Sequence, residues 1–250
     1  DEEKVETIMT HQMRTLETLQ KQFNPTVGSI MDLLLDHSRQ VEWKCVVEKQ
    51  EQSVFQAWNV FGSKQQFQRI SENLINICLD YTQKTGVQWV EYNLTELKIE
   101  AIVYQWCNNI LFNNSTLLDA LVQAQLLSAT QANMKFQIKG FIVRELVETH
   151  DTKQTNVLNK AFVYQEYHVA DDNGVVSQVH RDDSDITLHL CLGQTFDGGC
   201  LSFTFDTKTP SLRVPHQVGC MHIFRGDMLH HIEYINSGVR VNLVLFISFV

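Results

Sequence analysis

The stretch Ile186-Thr187-Leu188-His189-Leu190-Cys191-Leu192-Gly193-Gln194-Thr195-Phe196-Asp197-Gly198-Gly199-Cys200-Leu201-Ser202-Phe203-Thr204-Phe205 decides the fold. Its runs at 186–190 and 201–205 have a period of two, the repeat of a strand whose side chains alternate between faces. Between them, Asp197-Gly198-Gly199 supplies turn chemistry and reads as hairpin geometry, not as a phosphate cradle, because no helix follows it. The same pattern begins near residue 134 and recurs in Phe136-Gln137-Ile138, Phe162-Val163-Tyr164, Met221-His222-Ile223 and 241–250. Further turns fall at Asp171-Asp172-Asn173-Gly174, Thr209-Pro210 and Asn236-Ser237-Gly238. Many short strands with polar turns predict a double-sheet jelly roll or a barrel.

Outward from that half the chain changes character. Eight of the eleven glycines lie from Gly140 onward, and only Gly28, Gly62 and Gly86 precede it. Glycine-poor sequence suits helices. Val5, Met9, Met13, Leu16, Leu19 and Phe23 recur every three or four residues, as do Phe67, Ile70, Leu74, Ile77 and Tyr81. A third helix is expected to be capped by Asn93 with Glu96 three positions on, carrying Leu97, Ala101, Tyr104 and Ile110. A fourth is expected over 116–128. Val41, Trp43, Cys45 and Val47 alternate and predict one early strand. The expectation is an α+β chain. Residues 1–133 form a mainly helical region and 134–250 a β core, with the helices packed on a sheet face as one domain.

Composition narrows the function classes. Twenty basic against 29 acidic residues give a net charge of −9, which counts against sequence-independent binding to nucleic acid or an anionic membrane. An apolar run of about eighteen residues, the length a membrane-crossing helix needs, does not occur. The opening Asp1-Glu2-Glu3-Lys4 does not read as a signal peptide. Cys45, Cys78, Cys107, Cys191, Cys200 and Cys220 are scattered without a paired motif. They predict free thiols in a reducing compartment, cytoplasmic or nuclear rather than secretory. Two sequons, Asn93-Leu94-Thr95 and Asn113-Asn114-Ser115, keep the secretory alternative open, although both fall in sequence that reads as helical.

One constellation carries chemistry. His180 and Asp182 stand two residues apart, on the same face of a strand. His230 follows fifty residues later and Arg240 ten beyond that. Two imidazoles and one carboxylate are the ligand set of a facial-triad iron(II) site, which leaves open positions for a chelating co-substrate and O₂. The same three ligands also suit zinc. A guanidinium can grip the far carboxylate of a dicarboxylic acid through two parallel hydrogen bonds. Adjacent strand residues face opposite ways, so only one of His230 and His231 can face the metal. Asn242 shares strand parity with Arg240. Arg181 is expected to point away from the metal, Asp183 and Asp185 to form a solvated turn, and His216 and His222 to be surface or strand-face residues.

Residues from about 160 to 250 resemble the 2-oxoglutarate- and iron(II)-dependent dioxygenases of the prolyl and lysyl hydroxylase type. The likeness is carried by His180, Asp182, Thr187, Leu188, Leu192 and Gly193, then Phe196, Gly198, Gly199, Leu201 and Phe203, and then His230, Ile232, Ile235, Gly238 and Arg240. It implies a double-stranded β-helix (cupin-like jelly roll), with His180, Asp182 and His230 holding iron and Arg240 binding the C5 carboxylate of 2-oxoglutarate. It also implies a tyrosine on the preceding strand, for which Tyr167 is the candidate, beside the co-substrate. Ile232, Ile235 and the ten-residue step to Arg240 select His230, whereas a nine-residue step would select His231. His189 stands where relatives of this type usually carry asparagine. The implied reaction hydroxylates a protein side chain with Fe(II), 2-oxoglutarate and O₂, aided by ascorbate, and yields succinate and CO₂. The alternatives are oxidative demethylation of nucleic acid, which the charge disfavours, and a non-catalytic jelly-roll binding module.

Overall fold

The computed structural model describes residues 41–47, 52–58, 60–112, 114–146, 179–205 and 211–250. The helix expected on Val5 to Phe23, the strand Phe162-Val163-Tyr164, the turns at 171–174 and 209–210, and Tyr167 lie outside them. The described elements are β1 (Trp43–Val47), β2 (Val54–Trp58), α1 (Lys64–Thr85), β3 (Glu91–Asn93), α2 (Glu100–Cys107), α3 (Ser115–Gln123) and β4 (Phe136–Leu146). After these come β5 (Ile186–Gly193), β6 (Phe196–Gly198), β7 (Leu201–Phe203), β8 (Leu212–Val214), β9 (Cys220–Arg225), β10 (His230–Ile232) and β11 (Ile235–Phe249).

The strands form two antiparallel sheets, with helices on the larger one. That is the α+β jelly-roll arrangement expected from the alternating sequence. The large sheet runs β1-β2-β9-β5-β11-β4-β3, with β6 attached to β11, and the small one runs β10-β7-β8. β5 shows how the alternation is used, since every one of its residues is buried. Ile186, Leu188, Leu190 and Leu192 enter the main core with Ile70, Leu74 and Ile102 of the helices. Each such side chain contributes about 1.5–3 kcal/mol when fully buried. Thr187, His189 and Cys191 point the other way, into the space between the sheets. The same parity puts Phe55 and Ala57 of β2, Met221 and Ile223 of β9, and Val241, Leu243 and Leu245 of β11 in the main core. Gln56, His222, Arg240 and Asn242 are left on the inter-sheet face. A smaller core of Val54, Leu201, Phe203, Val214, Phe224 and Ile232 joins the sheets beside them.

The helix signals fare unevenly. Ser63 caps α1 in a reciprocal box, accepting from the Gln66 N–H at 3.3 Å while Gln66 Oε1 accepts from the Ser63 N–H at 3.0 Å. The expected cap at Asn93 forms, with Asn93 Oδ1 accepting from Thr95 N–H at 2.9 Å and Glu96 Oε2 from Asn93 N–H at 3.4 Å. It closes only a turn, however. Lys98 takes a left-handed φ of 58°, which a helix cannot continue through, and α2 starts afresh at Glu100. Asn93 therefore ends a strand, and Leu97 and Ile110 lie outside α2. α3 begins where Asn114 Oδ1 accepts from Leu117 N–H at 3.0 Å, and it ends at Gln123, before Gln125 at φ 59°. β2 and β3 escaped the sequence reading because they are short and flank helices. The six cysteines are free.

Candidate metal centre

His180, Asp182 and His230 come together at the edge between the two sheets. His180 and His230 exchange both backbone hydrogen bonds, N–H to carbonyl at 3.0 Å each way, which sets their side chains next to one another. The chain then turns so that Asp182 N–H donates to the Gly226 carbonyl at 2.8 Å. Gly226 is required there, because a Cβ at that position would lie 2.3 Å from the Ser184 carbonyl oxygen.

The ligand atoms converge. His180 Nε2 lies 3.4 Å from Asp182 Oδ1, His230 Nε2 lies 3.4 Å from Asp182 Oδ2, and one ligand atom from each residue falls within 4.8 Å of the others. Two ligands bound to one ion at about 2.1 Å and at right angles are about 3 Å apart, so the set fits a single cation. His230 Nδ1 lies 2.8 Å from the Met228 carbonyl and donates to it, which leaves the Nε2 lone pair for the centre. Thr187 Oγ1 donates to Asp182 Oδ2 at 2.6 Å. Burial by itself raises the Asp182 pKa. The His180 hydrogen bond, the His230 charge and the Thr187 hydroxyl outweigh it and hold the carboxyl below its usual range. Burial pushes His230 down, so its imidazole is neutral at pH 7. The His180 side chain is 39% exposed, against 6% for Asp182 and 1% for His230, so the site opens on the His180 side. His231 is not part of this group. Arg181 is exposed and donates to the Asp227 carbonyl. Asp183 is exposed, whereas Asp185 accepts from Gln131 Nε2 at 3.1 Å and from Phe249 N–H at 2.9 Å.

Behind the triad the inter-sheet face is polar and buried. His222 is opposite Gln56 on one side and His189 on the other, Asn242 is opposite Cys191, and Arg240 is opposite Glu145. The His189 ring is 6.2 Å from that of His230 and 6.2 Å from that of His216, which is 5.1 Å from His222. His216 and His222 are therefore interior residues, not surface ones, being 3% and 0% exposed. Burial first, and then neighbouring positive charge, lowers these pKa values: to about 3 for His189, to about 4 for His222 and well below the usual range for His216. The charge of Arg240 acts on all three. Buried polar atoms are almost always paired. Yet His189 Nδ1, both nitrogens of His216, His222 Nδ1 and Asn242 Oδ1 have no partner among the described residues. Orphaned donors and acceptors around a buried guanidinium, next to a metal-ligand triad, fit a small polar acid such as 2-oxoglutarate. Gly199 at φ 67° allows this crowding, since a Cβ there would come within 3.0 Å of Arg240 Nη1.

Comparison with known proteins gives a partial likeness. No family profile matches the chain. A 73-residue segment is 36% identical to the human protein named 2-oxoglutarate and iron-dependent oxygenase domain-containing protein 2, and the mouse protein of that name matches equally. The likeness is to the 2-oxoglutarate- and iron-dependent oxygenases. It covers 27% of this chain and 21% of each relative, so the match spans about a fifth of the oxygenase relatives' length. Solved structures of similar shape include the prolyl 4-hydroxylase of Phytophthora capsici, at 15% identity over 80% of this chain and 60% of that one, TM-score 0.45. Another is the Pseudomonas putida prolyl-4-hydroxylase, at 12% identity over 88% and 99%, TM-score 0.39.

Of the residues singled out from sequence, His180, Asp182 and His230 meet, and Arg240 and Asn242 share one buried face beside them. The sequence reading passed over Glu145 and gave His216 and His222 no place in the site. Strand parity could have placed His222 on the inter-sheet face. No spacing could have paired Glu145 with Arg240 across 95 residues.

Proposed function

We propose that this chain carries the catalytic core of a 2-oxoglutarate- and Fe(II)-dependent dioxygenase that hydroxylates a side chain of a protein or peptide, as prolyl and lysyl hydroxylases do. The observation that supports it most is the convergence of His180 Nε2, an Asp182 oxygen and His230 Nε2 on one point. In this reading those three residues hold iron(II), and Arg240 and Asn242 face the co-substrate. Bound there, iron with 2-oxoglutarate and O₂ supplies the oxidation, releasing succinate and CO₂ as a substrate C–H bond becomes C–OH.

The chain's own groups prepare that chemistry. Thr187 and the Met228 carbonyl orient two of the ligands. The neutral imidazoles of His189, His216 and His222 offer hydrogen bonds without adding charge. Phe203 and Phe224, whose rings lie 6.1 Å and 4.8 Å from that of His230, keep water from its inner side. The exposed edge at His180 is the side from which substrate approaches. A net charge of −9 favours a peptide over a nucleic acid there.

The test is turnover by the full chain with Fe(II), 2-oxoglutarate, O₂ and ascorbate against a broad peptide panel, scored for succinate and for a 16-dalton mass gain of about one oxygen atom. Succinate formation that depends on iron and disappears in Asp182→Ala is the expected result. Absence of both metal binding and turnover would replace the oxygenase with a binding module. Tight zinc uptake without turnover would make the triad a zinc site.

A further inference from the structure

Arg240 is fully enclosed, with 0% of its side chain exposed, and a guanidinium so placed needs countercharge and acceptors. The chain provides both. Glu145 lies directly opposite on β4 and accepts from Arg240 Nε at 2.5 Å and from Nη2 at 3.1 Å. Asn242 Nδ2 donates to the same carboxylate at 3.0 Å, and the Gly199 carbonyl accepts from Arg240 Nη1. Three of the guanidinium's five donors are thus committed, including the Nε–Nη2 edge that grips carboxylates in two-point fashion. The charge that a dicarboxylic acid would need is already neutralised from within.

We propose that Glu145 is a resident carboxylate that competes with the distal carboxylate of the co-substrate for Arg240, and so sets how much 2-oxoglutarate the site requires. This rests on the oxygenase reading above. A second carboxylate arriving at the Glu145–Arg240 pair leaves one uncompensated negative charge in a dry site, so Glu145 must yield part of its hold. It is able to do so, because its side chain keeps 18% exposure at the end of β4 while the guanidinium has none. The competition acts on one end of the co-substrate only. A 2-oxo acid that lacks the distal carboxylate, such as pyruvate, reaches the metal without contesting Arg240.

The experiment measures binding of 2-oxoglutarate and of pyruvate to the Mn(II)-loaded full chain by calorimetry, in wild type and in Glu145→Gln. At an effective dielectric constant of about 20, removing one of two carboxylates that share a guanidinium tightens dicarboxylate binding on the order of tenfold or more. Pyruvate binding is expected to change by less than about twofold, since its charge stays at the metal. Unchanged or weaker 2-oxoglutarate binding in Glu145→Gln overturns the inference and makes Glu145 a strut for Arg240. So does a gain shared equally by pyruvate. If wild type binds neither acid in the presence of Mn(II), the oxygenase reading itself fails, which is a different result. Should Glu145→Gln not fold alone, Glu145→Asp takes its place. Its shorter side chain loosens the grip, and a larger thermal shift with 2-oxoglutarate than wild type shows, with none extra from pyruvate, supports the inference; its absence overturns it.

Discussion

Thr187→Val isolates the second layer of the triad. Thr187 is 0% exposed, and its hydroxyl donates to Asp182 Oδ2 at 2.6 Å and lies 3.1 Å from Ser184 Oγ. Valine keeps the branched shape, and with it the strand propensity and packing of β5, while removing one donor from a buried carboxylate. A hydrogen bond to a charged group contributes about 1.5–3 kcal/mol, which corresponds to roughly 10–100-fold in an equilibrium constant. In the unliganded protein the loss frees Asp182 to rotate and relaxes the influence that keeps its pKa low. The lost orientation opposes metal binding, so Fe(II) or Mn(II) affinity is expected to fall by about 10–100-fold. Competition against a chromophoric chelator at fixed pH measures this directly, and circular dichroism verifies that the fold is kept. A metal affinity within about twofold of wild type would refute the reasoning, because the hydroxyl would then contribute nothing to ligand orientation.

Two further outcomes follow from the same geometry. His230→Ala is expected to abolish metal binding and turnover while His231→Ala keeps both, because only His230 Nε2 faces Asp182; titration of Mn(II) into each variant decides it. The metal-free protein is expected to lose stability as pH falls below about 6.5, where the imidazoles of an unfolded chain take up protons that buried His189, His216 and His222 refuse. Their folded pKa values are depressed, so the stabilisation is complete above the unfolded value and is lost as pH drops toward 4, the value for His222. Each imidazole adds about 1.4 kcal/mol per pH unit to the slope, and urea denaturation between pH 7 and pH 4.5 is expected to show a shallower slope in His222→Asn.

Much of the site could be read from the chain itself, because its ligand types stand at short, regular spacings. His180 and Asp182 are two residues apart, a spacing that reads as one strand face. In the fold a single bridge to His230 holds His180, and the chain turns to bring Asp182 beside it. His230 and Arg240 were legible through the ten-residue step of the oxygenase resemblance. Asn236-Ser237-Gly238, expected as a turn, lies inside β11, where Gly238 pairs with Phe196 and takes φ 87°. The doublet His230-His231 was not resolved by parity, which says only that one of the two faces inward. The ten-residue step of the resemblance favoured His230, and the pairing of His180 with His230, two stretches fifty residues apart, sets those two side chains next to one another. At Asn93 the local signal was real and its consequence was not, since the cap formed while Lys98 ended the turn.

What the amino-acid order determined alone was local: which segments alternate and which ligand types stand two residues apart. These follow from backbone periodicity, which acts over a few residues. What only the tertiary structure decided is the company these residues keep. The row Gln56, His222 and His189 across β2, β9 and β5, the ring of His216 beside it, and the carboxylate of Glu145 on the guanidinium of Arg240 all depend on strand order and register. Strand order is set by which apolar faces bury best together, a sum over the whole core to which no short segment holds the key.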